Sequence, residues 1–179
     1  LAENSEEKMN VLQLLVSMID RPAVTMSYVG QKPGWAWLTP ALLVLVGLVV
    51  FSVVTAPLTS ELALRQAQQQ IASLPPQQAE QAASQIERFT SPSMVAGFSI
   101  VGGLVALAVI WLLGAGVLYF LGLVAGGEAN FAQSFAILAW SWLPYSLRNL
   151  ILAAYVAYSG QMINQGLSFL VATGDQTQD

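Results

Sequence analysis

The sequence contains no cysteine and no histidine, and only 9% of its 179 residues are charged. Without thiols or imidazoles the chain forms no disulfide, ligates no metal through sulfur or imidazole, attaches no c-type haem and holds no pigment through histidine. Most redox chemistry is excluded with them. The redox compartment stays open, because a thiol-free chain suits either side of a membrane. Basic residues are also scarce: six Lys and Arg against ten Asp and Glu give a net charge of −4. No basic stripe is available to neutralise nucleic-acid phosphates, and no polybasic patch to dock on anionic lipid.

What is abundant is apolar length, with 55% of residues hydrophobic. Leu38 to Ala56 and Met94 to Val124 carry no charge, and Phe131 to Ser159 carries only Arg148. A hydrocarbon layer about 30 Å thick is crossed by roughly 20 helical residues, so each stretch is long enough to span it. The expected fold is an all-α integral membrane protein with three transmembrane helical segments, an N-terminal interfacial helix and an external helical hairpin. The expected boundaries are 1–34 for the N-terminal amphipathic segment, 35–57 for the first span and 58–93 for the hairpin. The second span follows at 94–125, the third at 131–159, and a polar tail at 160–179.

In the first segment Val11, Leu12, Leu15, Met18 and Ile19 recur at helical spacing beside Lys8, Asn10 and Ser17, and the pattern stops at Asp20-Arg21-Pro22. The acidic flank Glu3-Asn4-Ser5-Glu6-Glu7 is wrong for a signal peptide, which favours a helix lying on the membrane surface. The chain starts at Leu1 rather than Met, so a trimmed N-terminus is expected. Trp35 and Trp37 stand where an aromatic belt would anchor the first span, Pro40 fits its first turn, and Pro57 is expected to close it. The hairpin reading rests on Gln- and Ala-rich arms either side of Pro75-Pro76. Leu64, Ala67, Ile71 and Leu74 form a stripe on one arm, and Ala79, Ala82, Ala83 and Ile86 form one on the other. A flexible Gln-rich loop is the competing reading.

The second span is 31 residues, about 46 Å as a helix, so it must tilt, bend or protrude. Within it Ser99 with Gly103 and Gly102 with Ala106 match the small-xxx-small spacing of close helix contacts, with a partner or within the chain. The third stretch follows the turn Gly126-Gly127-Glu128-Ala129-Asn130, and Pro144 predicts a break or kink near Leu143. An arginine at the centre of a lipid-exposed helix costs about 2.5–3.5 kcal/mol, so Arg148 is expected to face protein, snorkel or lie near an interface. Arg148, Trp140, Trp142 and Pro144 are the candidate contacts for lipid or a partner. Lys8, Arg21 and Lys32 precede the first span, Arg65 and Arg88 lie in the longer hairpin, and no basic residue occurs in the turn after the second span, so the N-terminus is expected in the cytoplasm and the hairpin outside.

No catalytic constellation is legible. Glu128 is the only carboxylate between Arg88 and Asp175, and Ser134, Ser141 and Ser146 have no histidine or lysine to activate them. The glycines at 126 and 127 lack the lysine and hydroxyl of a phosphate-binding loop. The chain is therefore expected not to be an enzyme and to need no cofactor.

The run Leu138-Ala139-Trp140-Ser141-Trp142-Leu143-Pro144, preceded by Phe131-Ala132-Gln133-Ser134-Phe135, resembles the Yip (Ypt-interacting protein) domain family. Members carry a Leu-Gly-Tyr-Ser-like run ending in proline in the third span, and bacterial members a glycine-rich turn before it. Asp20-Arg21-Pro22 ahead of an aromatic start to the first span is also similar to bacterial members, and the resemblance covers roughly residues 15 to 165. It implies an all-helical, usually five-span membrane protein with a cytoplasmic N-terminus. Ala139 and Trp140 replace the usual Gly and Tyr, and the acidic-Tyr-Gly-Pro motif of eukaryotic members is absent. The chain ends after Phe169-Leu170-Val171, where two further spans are expected, so it reads as a fragment or a shortened member. Eukaryotic relatives bind Rab GTPases in vesicle traffic, a role the residues here do not carry over.

The expected function is a non-catalytic scaffold or accessory subunit of a larger membrane complex, of respiratory or photosynthetic type, in a bacterial plasma membrane. Its expected partners are the bilayer and a membrane protein or further copies of itself, without nucleic acid. Two other classes stay open: a small transporter or channel component using Arg148, Glu128 and Pro144, and a membrane-shaping or lipid-organising protein.

Overall fold

The computed structural model describes residues 9–31, 34–35, 37–128 and 130–162. The acidic run at 3–7, Lys8, Lys32, Ala129 and the tail from residue 163, including Phe169-Leu170-Val171, lie outside the described residues. Seven helices and no strand occur among the described residues: α1 (Val11–Asp20), α2 (Pro22–Gln31), α3 (Leu38–Ile71), α4 (Pro76–Phe89), α5 (Pro92–Val124), α6 (Phe131–Ser141) and α7 (Leu143–Ser159).

Proline and asparagine set most of the helix starts. Pro22, Pro76 and Pro92 are the first residues of α2, α4 and α5, Pro144 is the second of α7 and Pro40 the third of α3. In a first turn the missing amide has no intrahelical acceptor to lose. Asn10 caps α1, its side-chain oxygen accepting from the Gln13 amide at 2.8 Å while Gln13 Oε1 accepts from the Asn10 amide at 2.8 Å. Asn130 and Gln133 repeat the arrangement at α6. Beyond Asp20-Arg21-Pro22, where the amphipathic pattern stops, residues 22–31 form a further helix, α2, with Thr25 and Val29 buried one turn apart.

Pro57 does not end the first long helix. α3 continues through it to Ile71, 34 residues in all. The Thr55 hydroxyl donates to the Phe51 carbonyl at 2.8 Å and that of Thr59 to the Thr55 carbonyl at 3.0 Å, extra backbone bonds on either side of the Val53 carbonyl that Pro57 leaves without an amide donor. The first arm of the expected hairpin is thus the polar end of α3, and the second is α4.

α3 and α5 are long and apolar enough to cross a membrane, and only 28% and 11% of their most apolar stretches are buried inside the protein. The core helix of a soluble domain would be mostly covered; these are not. The third apolar stretch is divided into α6 and α7, of 11 and 17 residues, rather than forming one long helix.

Contacts group the chain into two units. The first comprises Leu1–Leu45 and Val105–Tyr145. In it α1 packs on α2 and α2 on α6. Leu14, Val29, Ala136 and Trp140 form one buried cluster, ringed by Met18, Met26 and Trp37 among others. Val44, Trp111 and Ala139 form a second, with Phe135, Leu138 and Trp142 against it. The other unit comprises Val46–Leu104 and Ser146–Asp179. It buries small and polar side chains: Ser52, Thr55, Ala56 and Ser60 on α3, and Ser146, Asn149, Ala153 and Val156 on α7. The Ser60 hydroxyl donates to the Thr90 carbonyl, tying the base of the hairpin across 30 residues. Leu64, Ala67, Ile71, Ala79, Ala82 and Ile86 are half-buried on the two arms, while Ala83 and Leu74 are exposed.

Candidate functional site

The residues singled out by the sequence around position 140 form a helix break wrapped in aromatic rings. Pro144 has no amide to offer the Trp140 carbonyl, so a continuous helix would lose a bond here. The chain instead ends α6 at Ser141, and the Trp142 amide bonds back to the Ala139 carbonyl at 3.3 Å, a tighter i→i−3 closure. That closure leaves the Leu138 carbonyl without its usual donor, and the Ser141 hydroxyl supplies one at 2.7 Å. Leu143 then starts α7. Ser141 and Pro144 therefore act together, the proline forcing the break and the serine satisfying what it exposes.

α6 buries Ser134, Ala136, Ala139 and Trp140, a face that small residues keep close to its neighbours. A β-carbon on Gly114 would stand 2.9 Å from Leu138 Cδ2, and one on Gly30 would stand 3.3 Å from Ile137 Cδ1. Aromatic rings run along the same helix in edge contacts and one stack: Tyr119 on Phe131, Phe131 on Phe135, and Phe135 against both Trp37 and Trp111 at 5.5 and 5.8 Å. Trp142 extends the series to Trp111 and Tyr145, at 6.3 and 5.1 Å. Such pairs add about 0.5–1.5 kcal/mol each beyond area burial. The rings of Trp37, Trp111, Phe135 and Trp142 thus pack around the end of α6 where the helix breaks.

The candidate contact residues divide accordingly. Trp140 is fully buried in the chain's own core, Trp142 is half-buried, and Pro144 and Arg148 are exposed. Arg148 has no carboxylate within 4 Å among the described residues, where the one ion pair is the exposed Asp20–Arg21 neighbour pair at 3.3 Å. Glu128 is exposed. On α5, Gly103 faces Leu48, whose Cδ1 would lie 2.8 Å from an added β-carbon, whereas nothing lies within 4 Å of such a carbon on Gly102. Ser99 and Ala106 are exposed beside Gly102.

Two buried polar atoms have no partner among the described residues: the Trp111 indole nitrogen and the Asn149 amide nitrogen. Asn149 sits on the α7 face with Ser146, Ala153 and Val156, a burial that its place in the sequence beside the charged Arg148 does not signal. Gly47, also passed over, meets the Ser146 backbone directly.

The Yip1 domain model matches residues 16–174, from within α1 to beyond the last described helix, and includes the whole α6–α7 break. The chain belongs to the Yip1 domain family. It is a membrane protein of that family, and its two long, exposed apolar helices agree with that. No curated protein and no solved structure matches it. The Leu138 to Pro144 run that carried the resemblance is thus, in this Yip1-domain chain, the run whose hydroxyl and proline build the break.

Proposed function

We propose that this Yip1-domain protein is a non-catalytic scaffold or accessory subunit of a larger membrane complex, of respiratory or photosynthetic type, in a bacterial plasma membrane with its N-terminus in the cytoplasm. In this reading α6 and α7 together make a third crossing. The supporting observation is α5, which is apolar throughout yet only 11% buried over its most apolar stretch. Gly97, Gly102 and Gly116 on it have nothing within 4 Å of where a side chain would begin. Glycine weakens a helix by about 0.5–1 kcal/mol relative to alanine, and no contact among the described residues offsets that at Gly102. In lipid, where helices associate by close packing rather than hydrophobic drive, an open small-residue face is what a second helix fits. Ser99, Gly102 and Ala106 form that face.

The test is a pair of variants in the native host. Gly102→Leu and Ala106→Leu, both at open positions, are expected to leave extraction and helicity unchanged while a co-purifying membrane protein is lost. Retention of every co-purifying chain by both variants would remove α5 as the contact.

A further inference from the structure

α1 has three faces. At about 100° per residue, Leu14, Leu15 and Met18 share one side, Leu12, Val16 and Ile19 a second, and Gln13, Ser17 and Asp20 the third. The first side is turned to the protein: Leu14 is buried and Leu15 and Met18 pack on the cluster with Val29, Ala136 and Trp140. The second is apolar and uncovered, with Leu12 at 73%, Val16 at 66% and Ile19 at 85% exposure. The third is polar and exposed or half-exposed. Sequence periodicity alone merges the first two sides into one broad apolar stripe; the fold separates them.

The position of the helix says what covers the second side. The cluster that holds Leu14 also takes Trp37, the residue immediately before α3, whose following turns are apolar. α1 therefore shares a cluster with the residue at which a membrane-crossing helix begins, and the start of such a helix is where aromatic rings and amphipathic helices meet the lipid boundary. Ten residues, about 15 Å, are too few to cross, so a helix at that level with adjoining apolar and polar sides lies along the boundary. We propose that Leu12, Val16 and Ile19 form a lipid-binding face, inserted among the acyl chains of one leaflet, while Gln13, Ser17 and Asp20 face water. The polar side has no lysine or arginine, so contact comes from apolar insertion and not from headgroup charge. The proposal goes beyond the partner reading and stands whether or not a partner subunit binds.

The absence of cysteine makes the test direct. Single variants Leu12→Cys, Val16→Cys, Ile19→Cys, Gln13→Cys, Ser17→Cys and Asp20→Cys of the full chain are spin-labelled and reconstituted in vesicles of phosphatidylcholine with and without phosphatidylglycerol. Collision with dissolved oxygen is compared with collision with a water-soluble nickel chelate. Labels at 12, 16 and 19 are expected to favour oxygen and to report a depth of about 5–10 Å, those at 13, 17 and 20 to favour nickel, and neither set to change with phosphatidylglycerol. Nickel access at 12, 16 and 19 equal to that at 13, 17 and 20 would overturn the proposal. So would shielding of 12, 16 and 19 from both reagents, with spin–spin broadening assigning the face to a second copy and its absence to another segment of the same chain.

Discussion

A β-carbon on Gly47 would stand 2.9 Å from the hydroxyl oxygen of Ser146 and 3.1 Å from its carbonyl oxygen, so α3 and α7 meet there at backbone distance. A flexible side chain could swing aside, but a carbonyl on a helix cannot. Gly47→Ala is expected to lower stability by about 1–3 kcal/mol through overpacking. Gly102→Ala, at an open helical position, is expected to hold or raise it by about 0.4–1 kcal/mol. Thermal unfolding of the two variants in one detergent compares them, and equal losses would show that the α3–α7 contact is not this close.

The buried cluster around Trp140 gives a second comparison. Trp140→Ala removes a fully buried indole from between α1, α2 and α6 and is expected to cost about 3–5 kcal/mol. Trp35→Ala, at an 80% exposed ring, is expected to change stability little. Trp111→Phe falls between, because its indole nitrogen donates no hydrogen bond among the described residues, so the change loses volume alone. Chemical denaturation of the three variants ranks them, and a Trp111→Phe loss as large as that of Trp140→Ala would mean an unseen partner for that nitrogen.

At the base of the hairpin the Ser60 hydroxyl is the tie to Thr90. Ser60→Ala is expected to cost about 1 kcal/mol and to raise opening of the hairpin about fivefold. Trypsin reads this directly, because Arg65 and Arg88 are exposed on the two arms and their cleavage rates should rise together. Unchanged rates would show that the arms are held elsewhere.

The all-helical character was legible because three long apolar runs leave no period-two alternation for strands, and prolines with nearby polar caps punctuate them. Pro57 misled for a physical reason. A proline removes one amide donor, here from the Val53 carbonyl, and a long apolar helix continues through it where neighbouring bonds hold; the Thr55 and Thr59 hydroxyls add such bonds at the Phe51 and Thr55 carbonyls. α2 was missed because it starts at Pro22, which reads as a terminator when seen from α1 and as a first-turn residue when seen from α2. At the site, the break near Pro144 has a local cause that sequence carries. The partner of Gly47 and the covered state of Trp140 are contacts between distant segments, which periodicity does not encode. Charge drew the eye to Arg148, yet the buried polar group is its neighbour Asn149.

In the proposed reading the chain works as part of an assembly. Native mass spectrometry of the protein extracted from its own membrane in mild detergent tests it most directly, recording the intact mass and every associated chain. The account predicts a complex in which at least one other membrane protein is present at fixed stoichiometry, and which loses that chain with Gly102→Leu. A species containing this protein alone, under conditions that preserve other complexes of the same membrane, would contradict it.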